Sequence, residues 1–306
     1  MMARWKQVLA RWAVLLIVVF PSSAGHAQEW VLNDLGKAQI AAVAREKDVP
    51  AELLTAALRA AGARAPTDLD KFDRLLRDLT RSAGELLADP ATKPSDPETA
   101  RLASLAREAL RDGALDAATE FHAEARARME ALSNGPAAAE TGTAALRKER
   151  AAVYAASAAT WLLKFEHARA AEDYARAFAE IEPVDDDLAI AYKLAQAKAL
   201  ASQGYYLDDN AALDAGIEAY RDAADLAPPR RRPFDWLKAQ AGLGNALATR
   251  GDRDADDARL TQAIETLRDA IPAAPANAPV DLLVDLKSEY ANALLLAGMR
   301  DTDIDK

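Results

Sequence analysis

Gln240-Ala241-Gly242-Leu243-Gly244-Asn245-Ala246-Leu247-Ala248-Thr249-Arg250-Gly251-Asp252 is the stretch from which the rest of the chain can be read. Leu243, Ala246, Leu247 and Arg250 follow the three- and four-residue spacing of a helix with one buried face. Slid along the chain by 47 residues, the stretch finds itself again: Gly204, Gly251 and Gly298 share that spacing, as do Ala199-Leu200, Ala246-Leu247 and Ala293-Leu294. A second segment repeats in the same register, with Ile217-Glu218 and Arg221-Asp222-Ala223 recurring as Ile264-Glu265 and Arg268-Asp269-Ala270. Each unit therefore holds two helices. Ala263, Ile264, Leu267, Ala270 and Ile271 form the stripe of the second, and the small residues Gly244 and Ala263 let the two backbones approach closely. Ile264 and Leu267 remain for packing on the neighbouring unit. Glycine at a fixed offset after each apolar stretch predicts a helix stop in the left-handed conformation. A pair of this size cannot bury both faces alone, and stacking successive pairs hides them.

The composition agrees with an all-α fold. The 306-residue chain is alanine-rich, 28% charged and only 6% aromatic, and Val, Ile and Thr are too sparse for a mainly β protein. It has no cysteine, which removes disulfides, thiol nucleophiles and thiolate metal sites. Its 38 basic residues face 48 acidic ones for a net charge of -10. A phosphate backbone or an anionic membrane surface would repel so acidic a chain, and Arg230-Arg231-Arg232, set between prolines, reads as a solvated turn.

The stretch from Gln240 to Asp252, with its Leu-Gly pair and closing glycine, resembles the first helix of a tetratricopeptide repeat. Ala263, Leu267, Ala270 and Pro275 resemble that family's small, large apolar, small and proline positions in and after the second helix. The extra polar residues before Ala263 and the opening Pro233 to Trp236 are similar to a longer bacterial variant of the repeat. The resemblance implies a right-handed superhelical array of antiparallel helix pairs over about residues 97 to 300. Its units span about 97–132, 144–183, 185–229 and 233–275, with a closing helix at 279–299. In the unit from 144, Ala170, Tyr174 and Ala177 carry the second helix, while Tyr154, Ala158 and Trp161 mark a first helix without the Leu-Gly pair. The family binds peptides in a groove lined by first-helix side chains. The matching positions here are Lys198 and Ser202, then Lys238, Asn245 and Thr249, then Ser288 and Asn292. Asn245 and Asn292 resemble the asparagine that holds a ligand's main chain. Ala241 and Ser288 stand where the family's carboxylate-clamp lysines would be.

Upstream, Arg4 and Lys6 precede the apolar run Trp12 to Phe20 and the small residues Gly25 and Ala27. This is the layout of a secretory signal peptide, residues 1–27, with cleavage expected before Gln28; an uncleaved anchor is the alternative. The mature chain is expected in the periplasm. Residues 28–90 form a further helical segment, with Pro50 near one helix start and Leu69 to Leu87 as a long amphipathic stretch, either capping the array or standing alone. Pro90, Pro94 and Pro97 mark a hinge, and Ser133 to Thr143 a loop.

Chemistry is sparse. His122 and His167 have no companion at ligand spacing. Asp252 to Asp257 lacks the glycine and bidentate glutamate of a calcium loop, and these acids, like Asp185 to Asp187, read as helix caps. No catalytic, cofactor or metal residue is expected. The sequence points to a non-enzymatic scaffold for a protein or peptide partner. Two alternatives remain: a homo-oligomer using Leu294 to Leu296 and Tyr205-Tyr206, and an enzyme with carboxylates such as Glu166 or Glu289.

Overall fold

The computed structural model describes residues 34–62, 69–88, 94–134 and 144–303. Residues 1–27, expected to be a signal segment, the Ala88–Pro94 stretch but for its ends, and most of the loop expected before Ala144 lie outside the described residues. Among the described residues the chain forms twelve helices and no strand. They are α1 Asp34–Glu46, α2 Ala51–Ala61, α3 Leu69–Leu87, α4 Pro97–Arg111, α5 Leu115–Asn134 and α6 Ala144–Leu163. After them come α7 His167–Ile181, α8 Asp186–Leu207, α9 Asn210–Leu226, α10 Pro233–Asp254, α11 Asp257–Ala273 and α12 Val280–Asp303.

Local chemistry sets many of the starts. Asp96, Asp185, Asp209 and Asp256 precede α4, α8, α9 and α11, and each carboxylate accepts a hydrogen bond from a first-turn backbone N–H. Proline opens α4 and α10, where its missing N–H would have no partner in any case. The acids after Gly251 thus act as the sequence suggests, with Asp256 accepting from the N–H groups of Ala258 and Arg259 at 3.0 and 3.2 Å.

The helices form two compact units. One holds α1 to α5 together with residues 159–166. Its core is built from Leu53, Leu54, Leu75, Leu110 and Met129, all buried. Here α2 packs on α4 and α5 as well as on α1 and α3. Contact is close at Gly113, whose φ is +72° and where a Cβ would lie 2.8 Å from the Glu52 carbonyl oxygen. No residue with a side chain fits there without backbone movement. Helix α2 therefore lies against the hairpin α4–α5.

The other unit holds residues 140–158 and everything from His167 onward. Helix α8 packs on α7 and α9, α9 on α10, and α10 on α11, while α12 lies on both α10 and α11. First helices also meet one another, α8 with α10 and α10 with α12. A continuous core runs through these pairs from Leu213 and Ile217 through Leu237, Leu243 and Leu247 to Leu267 and Leu286.

The repeated glycines do not stop their helices. Gly204 and Gly251 lie inside α8 and α10. The left-handed residues come four positions later, at Asp208 with φ 56° and Ala255 with φ 55°. Phe165, φ 61°, plays the same part between α6 and α7, so that glycine does so only at Gly113 among the described hairpin turns. Gly204 and Gly251 instead admit the returning helix. A Cβ on Gly204 would lie 2.5 Å from the Leu213 Cβ, and one on Gly251 would lie 3.0 Å from the Leu260 backbone nitrogen. Gly244 does as its small size suggests, with the Leu267 side chain seated against it. Leu267 is thereby consumed within its own pair rather than left for the neighbouring unit.

Candidate interaction face

The side chains singled out by the resemblance sit on α8, α10 and α12. These three first helices are neighbours in the order α8, α10, α12. Lys198 and Ser202 are half-buried on α8, and Asn245 and Thr249 half-buried on α10. On α12 Asn292 is half-buried and Ser288 exposed. Lys238 is exposed and its ammonium bonds Asp235, one turn earlier on α10, at 2.9 Å.

One pairing joins two of the helices. The Asn245 side-chain amide donates a hydrogen bond to the Glu289 carboxylate, across from α10 to α12. Glu289 is flanked on its own helix by Ser288 and, one turn on, Asn292, so α10 and α12 bring three of the seven residues into one neighbourhood. Asn245 retains a second N–H and a carbonyl oxygen as hydrogen-bonding groups.

Beside these positions lies an ionic framework that sequence reading missed. Arg253, on the last turn of α10, donates to Asp208 at 2.8 Å, to Asn210 at 3.2 Å and to the Tyr205 carbonyl at 3.2 Å. Arg250 donates to Asp214 at 3.0 Å and pairs with Asp254, two carboxylates that hold its guanidinium pKa above the usual value. Arg259 reaches the same Asp214 at 3.2 Å. The preceding hairpins carry their own ties: Lys193 to Asp222 at 2.9 Å, Lys148 to Asp185 at 2.7 Å and Arg150 to Glu180. Lys148 and the Leu188 N–H together hold the Asp185 carboxyl below the usual range. Asp185 in turn adds to the burial that pushes the Tyr192 hydroxyl up to about 12. The only advance signal was an arginine roughly one repeat period after an aspartate, which is weak in so charged a chain.

Other aromatic and polar side chains are engaged within the fold. Tyr206 stacks on the buried His167 ring at 5.8 Å and meets Tyr205 edge-on at 5.0 Å. Asp173 is buried and accepts from Ser157 at 2.7 Å, joining α6 to α7. His122 and His167 belong to different units, as do Glu166 and Glu289. Among the described residues no group of three or more potential ligands converges on a metal site, and no helix is long and apolar enough to cross a membrane. No protein-family model matches the chain, and none of the curated proteins or solved structures does.

Proposed function

We propose that this chain is a non-enzymatic interaction scaffold of tetratricopeptide type, exported to the cell envelope, which holds an extended segment of a partner protein along α8, α10 and α12. The observation that carries the reading is the direct neighbourhood of these three first helices, with half-exposed amides, hydroxyls and a lysine in a 47-residue register. An extended peptide offers backbone donors and acceptors at regular intervals. Asparagine and serine side chains satisfy both without demanding a particular side chain. The Asn245–Glu289 bond supports the reading by fixing α12 against α10, which presents Asn292 and Ser288 on an ordered surface. Preorganisation of this kind lowers the entropic cost of binding. Export rests on the basic start, apolar run and small-residue exit of residues 1–27.

Selection of a random peptide library on the purified chain, followed by titration of the enriched peptides, tests the proposal. The expected outcome is one sequence family whose affinity falls about tenfold in both Asn292→Ala and Ser202→Ala, a loss of about 1.4 kcal/mol. Asn245→Ala is less informative because it also releases Glu289. No enriched family, or peptides indifferent to both substitutions, would remove the groove from the protein's function.

A further inference from the structure

The repeat register singles out a face that is covered everywhere but at its last occurrence. On α10, Leu237, Gly244, Leu247, Ala248 and Gly251 form one buried stripe, with Leu267 and Leu260 of α11 seated on the two glycines. Forty-seven residues earlier Ile190, Ala197, Leu200, Ala201 and Gly204 form the same stripe on α8. There Leu213 of α9 crosses Gly204, and Gly216 lies against the Ala201 backbone. Forty-seven residues later the positions are Val284, Ala291, Leu294, Leu295 and Gly298 on α12. This third copy is open: Val284, Leu294 and Leu295 are 55%, 44% and 61% exposed, and nothing among the described residues lies within 4 Å of a Cβ built on Gly298.

We infer that the α12 stripe is a self-association surface, on which α12 of a second copy lies antiparallel. Six large apolar side chains are exposed among the described residues, and five of them, Val280, Val284, Leu294, Leu295 and Met299, belong to α12. Among the described residues a second copy therefore presents no other apolar helix face to this one. The stripe is also complementary to itself, with hollows at Ala291 and Gly298 and projections at Val284 and Leu295. A two-fold interface needs that property. The antiparallel sense follows from α9 and α11, which return along α8 and α10 on the equivalent stripe, and it sets the helix dipoles in opposition. With the two-fold axis at Ala291, Val284 of one copy comes over Gly298 of the other, where Leu260 sits over Gly251. Lys287 stands where α10 has Gln240; its methylene stem adds apolar cover while the ammonium reaches water.

Sedimentation equilibrium of the full chain at micromolar concentration reads the result directly. The expected mass is twice that of one chain, and A291E and L295E, both at exposed positions, return it to one with an unchanged helical circular dichroism spectrum. Because the chain has no cysteine, A291C provides a second measurement. It cross-links to itself on mild oxidation, whereas L226C, at the one exposed large apolar residue off α12 among the described residues, does not. A wild-type monomer would overturn the inference and leave the stripe to a helix of another protein or of following chain. A dimer that survives A291E and L295E, or equal cross-linking of A291C and L226C, would overturn it as well.

Discussion

His122 shows what a single side chain contributes that spacing alone cannot reveal. It is buried on α5, its Nε2 has no hydrogen-bond partner among the described residues, and burial together with the charges of Arg126 and Arg107 pushes its pKa from 6.5 down to about 4. The imidazole is therefore neutral in the folded protein at neutral pH. Below pH 6.5 the unfolded chain takes up a proton that the folded chain refuses, so stability is intact above that pH and is lost as pH falls towards 4. The loss is about 1.4 kcal/mol per pH unit and roughly 3 kcal/mol in all. Urea unfolding of the wild type and His122→Gln at pH 7.5 and pH 5 checks this. The gap between the two pH values should shrink by about 2 kcal/mol in the variant; an equal gap would mean that the histidine is hydrated in the native state. The sequence made His122 a lone helical histidine, and its burial depended on which face of α5 meets α4. Asn245 has the same history. Its place on a first helix was legible from the repeat, but its bond to Glu289 depends on how far α12 is displaced along α10, which no spacing within one helix specifies.

Helices and turns were the most legible level, because each signal there is local. Proline at the first position, aspartate at the cap and the apolar stripe all fall where the helices begin and pack. The stops were misread for a physical reason. Glycine serves both a left-handed turn and a close helix crossing, and the sequence does not distinguish the two. Gly204 and Gly251 serve the crossing, while Asp208 and Ala255 take the turn. Aspartate tolerates the left-handed region better than alanine, which is strained there by about 1 kcal/mol or more. Opposite effects follow from the same pair of residue types. Ala255→Gly relieves the turn and should stabilise the protein by about 0.5–1 kcal/mol after the entropy of glycine is subtracted. Gly204→Ala, despite its better helix propensity, forces the Leu213 backbone away from a Cβ 2.9 Å from its Cα, and should cost about 2 kcal/mol. Thermal unfolding of the two variants should move in opposite directions. A stabilised Gly204→Ala would show that α8 and α9 can separate without penalty.

In the unit that runs from His167 onward, cohesion is shared between the core and the ion pairs that cross from one hairpin to the next. Stacked pairs of this kind gain stability from neighbour contacts, so weakening one junction loosens the helices beyond it more than those before it. The junction between α8–α9 and α10 is held by Arg253 to Asp208 and Asn210, and by Arg250 to Asp214. The two guanidinium side chains are only 19% and 13% exposed, but Asp208 and Asp214 are 84% and 46% exposed, so water screens the pairs and the arginines contribute through more than one polar contact each. Their stems also cover apolar surface. Replacing both by alanine should lower the opening free energy of α10, α11 and α12 by about 1–2 kcal/mol, mass-resolved hydrogen exchange being the measurement. Amides of α4 and α5, whose own tie runs from Asp96 to Arg128, should keep their protection. The contrast between the two sets decides the matter. Equal loss in both would mean that the chain opens as one cooperative block, and the junction would then have no special part in holding the last helices. Loss confined to α12 would locate the weak point one helix further on, at the Asn245–Glu289 contact, and would make Asn245→Ala the substitution that loosens α12 from α10.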